Sequence, residues 1–91
     1  LFKIKQGSSF HQFVILTKRR SNFTSYMKSN KIPYGFHYPY TINKLKAFKK
    51  LCKDKNLNNS EIIAKNCVSL PIDPYLNKKQ INFIISKINK Y

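Results

Sequence analysis

The centre of the chain carries an uncharged stretch, Ile32-Pro33-Tyr34-Gly35-Phe36-His37-Tyr38-Pro39, and strand and helix patterns flank it on both sides. Pro33 and Pro39 each fix their own φ and push the preceding residue towards extended conformations. The stretch therefore predicts a short extended segment with His37 and Tyr38 at its end. Polar side chains at strand ends often meet ligands, so these two are the candidate binding residues. The alternative is a histidine that is simply solvated at the surface.

Length and composition restrict the class of protein. A chain of 91 residues predicts one small domain, 1–91, because it is long enough for only one hydrophobic core. Its longest apolar run covers residues 13–16, far below the roughly 20 residues of a membrane span, so no membrane partner is predicted. Cys52 and Cys67 form no closely spaced pair, which favours free thiols in a reducing cytoplasm over a zinc site.

The net charge of +15 suggests nucleic acid as a partner. Lysine outnumbers arginine 16 to 2, however, and sites that grip phosphates or read bases favour arginine. The lysines are also spread over nearly every segment, so the charge predicts no single binding face. A freestanding basic nucleic-acid-binding domain, whose tyrosines and phenylalanines stack on bases, is kept as an alternative function. Tight binding to single-stranded DNA with a steep salt dependence would identify it.

The first strand is predicted over residues 10–17. Phe13 and Ile15 lie on one of its faces, and Val14 and Leu16 lie on the other. A strand with two apolar faces is expected to be covered on both. Because one small domain seldom covers both, we expect helices of this chain on one face and a second domain on the other.

Apolar spacing and capping signals predict four helices. Their start signals are Ser21, Thr41, the capping box Asn58/Glu61 and the capping box Asn77/Gln80. Their apolar stripes are Phe23, Tyr26 and Met27; Leu45, Phe48, Leu51 and Cys52; Ile62, Ile63 and Cys67; and Ile81, Ile84, Ile85 and Ile88. A short strand is predicted over 68–70, and a turn at Asp73-Pro74. The predicted fold class is α/β of the α+β type, a few-stranded, mostly antiparallel sheet with helices packed on one face.

The residue inventory does not indicate catalysis by this chain alone. Its three acids are predicted in a charged loop (Asp54), a helix cap (Glu61) and a turn (Asp73). Gly7 and Gly35 are its only glycines, so it has no glycine-rich phosphate loop. A hydrolase is disfavoured because no acid lies close in sequence to either histidine.

Three segments, in this order, resemble the DegT/DnrJ/EryC1/StrS family of sugar aminotransferases. They are Ser9-Phe10-His11-Gln12-Phe13-Val14-Ile15, the central stretch, and Val68-Ser69-Leu70-Pro71-Ile72 with Pro74-Tyr75-Leu76. With the closing amphipathic helix, the resemblance covers nearly the whole chain. It implies a pyridoxal-phosphate enzyme of the cytoplasm that aminates a nucleotide-linked keto sugar, takes the amino group from a donor such as glutamate, and works as a homodimer.

The resemblance places the chain in the C-terminal small domain of such an enzyme, with residues 1–9 as a lead-in from an N-terminal domain that binds the cofactor. Transamination needs a lysine bonded to the cofactor, an acid beside its pyridinium nitrogen and donors for its phosphate. The resemblance assigns these to the upstream domain, so the 91 residues alone are expected to be inactive. It assigns His37 and Tyr38 as substrate contacts. A catalytically dead remnant that acts only in interactions is a further alternative.

Several positions depart from the family pattern or are ambiguous within it. Lys31 stands where the family usually has glycine, so Asn30 is expected to supply the left-handed turn. Asn43 stands where the family commonly has a histidine, so that contact to the sugar is either lost or replaced by the Asn43 amide. His11 matches a histidine of some members, and both a functional and a structural role are open. The charge run 18–20 is either a solvated surface or a phosphate clamp.

Overall fold

The computed structural model describes residues 7, 10–52 and 57–91. Its elements are β1 (Phe13–Leu16), α1 (Arg20–Ser29), a 3-10 helix (Ile42–Lys44), α2 (Asn58–Asn66), β2 (Cys67–Leu70) and α3 (Lys78–Ile88). The predicted fold class is confirmed, since the two strands form an antiparallel sheet and helices accompany it. Within the described ranges, no helix combines the length and the apolar character needed to cross a bilayer. The lead-in predicted for residues 1–9 lies outside the described residues, except for Gly7.

The strand β2 lies between β1 and the central stretch. It pairs antiparallel with β1, with Val14 opposite Ser69. On its other edge, backbone hydrogen bonds of 3.1 and 2.8 Å join Gly35 to Ser69 in an isolated bridge. The extended segment predicted around Gly35 therefore exists as a single bridge to β2. This bridge fixes the position of the backbone two residues before His37.

One face of the sheet carries the hydrophobic core. Its buried members are Phe23, Met27, Ile32 and Val68, against which Ile15, Phe36, Leu70, Ile84 and Ile88 pack. The predicted stripe of α1 is confirmed for Phe23 and Met27, and the Tyr26 hydroxyl donates to the carbonyl oxygen of Lys87 at 2.9 Å. The core of this short chain thus joins α1, β2 and α3.

The outer half of the α3 stripe does not join the core. Ile84 and Ile88 are half-buried against it, whereas Ile81 and Ile85 are 41% and 50% exposed. The prediction that the whole stripe is core is wrong for these two residues. The apolar stripe spans a wider arc of the helix than this small core can cover.

The second face of the sheet is open on β1. Val14 and Leu16 are 42% and 60% exposed there. The core-forming helices of this chain meet only the face of Ile15, as expected for β1 in the absence of a second domain. A second domain over the open face stays a prediction.

The helix predicted after Thr41 is wrong beyond its first turn. The 3-10 helix ends at Lys44, and turns follow through Cys52. The large apolar residues of the predicted stripe are 40%, 44% and 76% exposed, namely Leu45, Phe48 and Leu51. Without a surface to pack against, such a segment lacks the main source of helix stability. Like charges three and four positions apart weaken it further, at Lys46, Lys49 and Lys50.

Two local predictions about helix ends are also wrong. Ser21 lies inside α1 and does not cap it, since the helix begins at Arg20. Lys31, not Asn30, takes the left-handed conformation with φ of 55°, while the Asn30 side chain donates to the carbonyl oxygen of Tyr26 at 2.9 Å. The position where the resembling family usually has glycine thus has a left-handed backbone and a lysine side chain here.

The two predicted capping boxes have different outcomes. At α3 the box is confirmed: the Asn77 side chain accepts from the Gln80 amide N–H, and the Gln80 side chain accepts from the Asn77 amide N–H. At α2 it is wrong, because the helix already begins at Asn58 and has no side-chain cap. The carboxylate of Glu61 is therefore available for other partners.

Candidate functional site

His37 is held against β2 by two neighbours. Its Nδ1 lies 2.8 Å from the Oγ of Ser69, a residue that is only 6% exposed. The backbone of Gly35 lies close to the imidazole ring, and a Cβ at that position would lie 2.9 Å from Cε1 of His37. A larger residue at position 35 would therefore displace the ring. The glycine of the central stretch permits this close approach.

Ser69 is a candidate functional residue that the sequence did not single out. The apolar neighbours Val68 and Leu70 identify the strand but indicate nothing about the serine between them. A buried hydroxyl needs a hydrogen-bond partner, and here the partner is the His37 ring. A hydroxyl can donate or accept, so the bond occupies Nδ1 in either tautomer. The atom of this exposed ring that is available to a ligand is therefore Nε2.

A groove of about 450 Å³ lies beside the His37 ring. Its lining consists of His11, Gln12, Pro33, Tyr34, Gly35, His37, Tyr38, Ser69, Leu70, Pro71 and Ile72. The fold thus brings both histidines of the chain to one groove. His11 is exposed just before β1, a position that the sequence left open between a functional and a structural role.

Tyr38 lines the same groove as His37. The two ring centroids are 5.6 Å apart with an interplanar angle of 86°, and the peptide bond between the residues is cis. Tyr38 is 70% exposed, while its carbonyl oxygen receives a long hydrogen bond of 3.8 Å from the Cys67 thiol. The predicted pair therefore presents one anchored imidazole and one solvent-facing phenol.

Asn43 is engaged by α2 and does not line the groove of His37. Its Nδ2 donates to Oε1 of Glu61 at 3.1 Å, and its Oδ1 accepts from the Thr41 hydroxyl. The Lys44 ammonium lies 3.4 Å from the same carboxylate oxygen. The hydrogen bonds from Asn43 and then Lys44 lower the pKa of Glu61 below its ordinary value of 4.5. The amide at the family's histidine position is thus part of an internal network.

A second groove, of about 730 Å³, lies along α2. Its charged lining residues are Lys18, Arg20, Lys44, Glu61 and Lys65. Arg20 is already used in packing, because its Nη1 donates to the carbonyl oxygen of Ala64 at 2.6 Å and its guanidinium lies 4.7 Å above the Phe36 ring. These contacts give Arg20 a structural role and weaken the interpretation of residues 18–20 as a phosphate clamp.

The described residues do not fit pyridoxal phosphate. This cofactor lies between its lysine and the acid at its pyridinium nitrogen, with donors around its phosphate. Glu61 pairs directly with Lys44, so no ring lies between these two groups. Asp73 instead accepts from the Tyr75 amide N–H at 2.8 Å within a turn. The described part of the chain offers a groove with sugar-compatible polar groups but no cradle for the cofactor.

Comparison with known proteins places the chain among aminotransferase sequences. The sequence profile of the DegT/DnrJ/EryC1/StrS aminotransferase family matches residues 2–89. The dTDP-3-amino-3,6-dideoxy-alpha-D-galactopyranose transaminase of Aneurinibacillus thermoaerophilus is 30% identical over 82 residues. The dTDP-3-amino-3,4,6-trideoxy-alpha-D-glucose transaminase of Streptomyces venezuelae is 26% identical, and a pleiotropic regulatory protein of Geobacillus stearothermophilus is 29% identical, each over 83 residues. Each alignment covers 90% of this chain and 22% of the relative, so the chain spans about a fifth of the length of these curated relatives.

Proposed function

Because this chain belongs to the DegT/DnrJ/EryC1/StrS aminotransferase family, we propose that it is the C-terminal part of an enzyme that aminates a nucleotide-linked keto sugar. Two of the relatives are named as transaminases of dTDP-linked amino sugars, which supports this substrate class. The third is named as a regulatory protein, so the enzymatic proposal rests on the family and on those two relatives.

The observation that carries the proposal is the anchored His37 beside an open groove. Its Nδ1 is bonded to Ser69, so Nε2 is the ring nitrogen left to bind a ligand, and the neighbouring Tyr38 is 70% exposed. An imidazole and a phenol each donate or accept a hydrogen bond, and sugar hydroxyls require such partners. In this proposal His37 and Tyr38 bind and orient the sugar, and neither one transfers the amino group.

The cofactor of the proposed enzyme is pyridoxal phosphate, held mainly by residues outside this chain. It supplies the electron sink for amino transfer when bound. The lead-in over residues 1–9 would connect the two domains, and the 91 residues alone would be inactive. Glutamate as amino donor, a homodimer and a cytoplasmic location complete the proposal by analogy with the family.

The first test is the mass of the native polypeptide from its source, which we expect to be several times the 10.8 kDa of this chain. The complete protein is then assayed with dTDP-linked 3-keto and 4-keto hexoses and glutamate. His37→Ala should lower kcat/KM for the sugar about tenfold or more, because one oriented hydrogen bond is lost. The absorbance of bound pyridoxal phosphate should stay unchanged.

A matched control is Tyr75→Ala, at a position that is 92% exposed and outside the groove. Its kcat/KM should equal that of the unsubstituted protein. An unchanged kcat/KM in His37→Ala would remove His37 from the site, and no amination of any nucleotide-linked keto sugar would contradict the proposed activity itself.

A further inference from the structure

The segment that carries His37 and Tyr38 is anchored at both ends and open between them. At its first end, Gly35 is bridged to Ser69 of β2. At its second end, Thr41 is only 8% exposed, and its carbonyl oxygen accepts from the Lys44 amide N–H at 3.0 Å. Between these ends, Tyr38 and Tyr40 are 70% and 69% exposed. The conformation of the exposed part therefore depends on the two anchors.

The second anchor is fastened to α2 through one carboxylate. The Thr41 hydroxyl donates to the Asn43 carbonyl oxygen, which orients the amide so that its Nδ2 donates to Glu61 at 3.1 Å. The Lys44 ammonium reaches the same oxygen, Oε1, at 3.4 Å. The Asn43 amide and the Lys44 ammonium thus meet on a single side chain of α2, and the buried Thr41 is linked to that side chain through Asn43.

Glu61 is free for this task because it does not cap its own helix. The capping box predicted at α2 would have turned the carboxylate towards the start of the helix, but α2 begins without a side-chain cap. Glu61 and Asp73 are the acids among the described residues, and Asp73 is engaged in the Asp73–Leu76 turn. In the described part of the chain, Glu61 is therefore the carboxylate that bonds Asn43 and Lys44, directly after the His37–Thr41 segment.

We propose that Glu61 is a positioning residue for the sugar site: through Asn43 and Lys44 it fastens the second end of the segment that presents His37 and Tyr38. This inference rests on the proposed function and deepens it, since it assigns to Asn43 a role in holding the loop and not in contacting the sugar. Glu61 touches neither the groove of His37 nor His37 itself, so it acts on the sugar only through the position of the segment.

Because Glu61 is partly exposed, a role in positioning the segment can be distinguished from a role in the stability of the fold. The Glu61 and Lys44 side chains are 40% and 59% exposed, and ion pairs at such sites add little to the stability of a fold. Loss of the carboxylate should therefore leave the fold intact and release the segment. A residue with a merely structural role would instead change the melting temperature and leave the Michaelis constant for the sugar unaffected.

The test compares Glu61→Ala, Glu61→Gln and the control Asn59→Ala in the complete protein. Asn59 lies on the same helix, is exposed, and makes no hydrogen bond to residues 39–44 in the described structure. The first readout is amide hydrogen exchange of the peptide that contains residues 38–45. The second is the kcat and KM for a dTDP-linked keto hexose.

Glu61→Ala should raise both the exchange rate of this peptide and the KM for the sugar about fivefold, with kcat nearly unchanged. Glu61→Gln keeps an oxygen that accepts from Asn43, so its exchange rate and KM should stay close to those of the unsubstituted protein. Asn59→Ala should alter neither the exchange rate nor the KM. Unchanged exchange in Glu61→Ala would overturn the fastening, and raised exchange with an unchanged KM would overturn the positioning role.

The outcome also separates this inference from the proposed function. If the unsubstituted protein aminates no nucleotide-linked keto sugar, the proposed function fails, and with it the link from Glu61 to a sugar. Hydrogen exchange in the three variants still shows whether Glu61 fastens the segment.

Discussion

The two faces of the β1–β2 sheet use neighbouring residues for opposite purposes. On one face, the core face of Phe13, Ile15, Val68 and Leu70, Val68 is fully buried and packs with Met27 and Ile15. On the other face, the next pair along the strands is Val14 and Ser69, and Ser69 binds the His37 ring there. A shift of one position along a strand thus changes a residue's role from stabilising the fold to holding the candidate site.

The difference shows which part of the molecule this chain completes by itself. The core face has its helices, whereas Val14 and Leu16 on the opposite face of β1 are 42% and 60% exposed. Exposed apolar patches are typical of surfaces that meet another protein surface. Substitutions on this face of Val14, Leu16, Cys67 and Ser69, the site face, and on the core face should therefore have different effects.

The largest expected effect is on the core face. Met27→Ala should lower the free energy of unfolding by about 2–5 kcal/mol, because it leaves a cavity among fully buried side chains. The matched substitution on the site face, Leu16→Ala, should cost less than about 1 kcal/mol in this chain, since Leu16 is mostly exposed. Urea denaturation of both variants measures the difference. Equal losses in the free energy of unfolding would show that the two faces contribute equally to stability.

A second effect concerns self-association through the site face. The 91-residue polypeptide should associate through its exposed apolar side chains, and the double substitution of Val14→Thr with Leu16→Lys should weaken this about tenfold or more. Analytical ultracentrifugation over a concentration series measures the dissociation constant. The control pair, Ile81→Thr with Ile85→Lys on α3, tests whether any exposed apolar patch has the same effect. A stable monomer before any substitution would argue against a second domain over this face.

The smallest expected effect is that of Ser69→Ala, which removes the hydrogen bond to Nδ1 of His37. In the complete protein, kcat/KM for the keto sugar should fall about three- to tenfold, the value of one hydrogen bond that only orients the ring. Ser25→Ala, an exposed serine of α1, is the control and should leave kcat/KM unchanged. An unchanged kcat/KM in Ser69→Ala, or a complete loss of activity as in an unfolded variant, would contradict the positioning of His37 by Ser69.

Much of the fold was predictable because periodic apolar residues and strong caps agreed with the packing. The α1 residues Phe23 and Met27, and the capping box Asn77/Gln80 of α3, were predicted from spacing alone. The helix predicted after Thr41 does not extend beyond Lys44, since the apolar residues of its stripe meet no partner surface in the described structure. Periodicity records which residues could be buried, but not whether another element lies there to bury them.

The candidate site was predictable only in part. His37 and Tyr38 follow from their position in the central stretch, and the structure brings them to one groove with His11. Ser69 and Glu61 depend on pairs 32 and 18 residues apart in sequence, namely His37 with Ser69 and Asn43 with Glu61. The sequence predicted a helix cap for Glu61 because capping is a local interaction, whereas its partner Asn43 comes close only when the chain folds.

In the proposed enzyme, His37 is anchored by Ser69 and meets the sugar through Nε2. The most direct measurement is the nitrogen-15 spectrum of labelled imidazoles in the complete protein, with His37 assigned by its absence in His37→Ala. On addition of a dTDP-linked keto hexose, the Nε2 signal of His37 should shift while the Nδ1 signal, already bonded to Ser69, stays nearly constant. If both His37 signals stay fixed while the sugar saturates the enzyme, His37 does not contact the substrate.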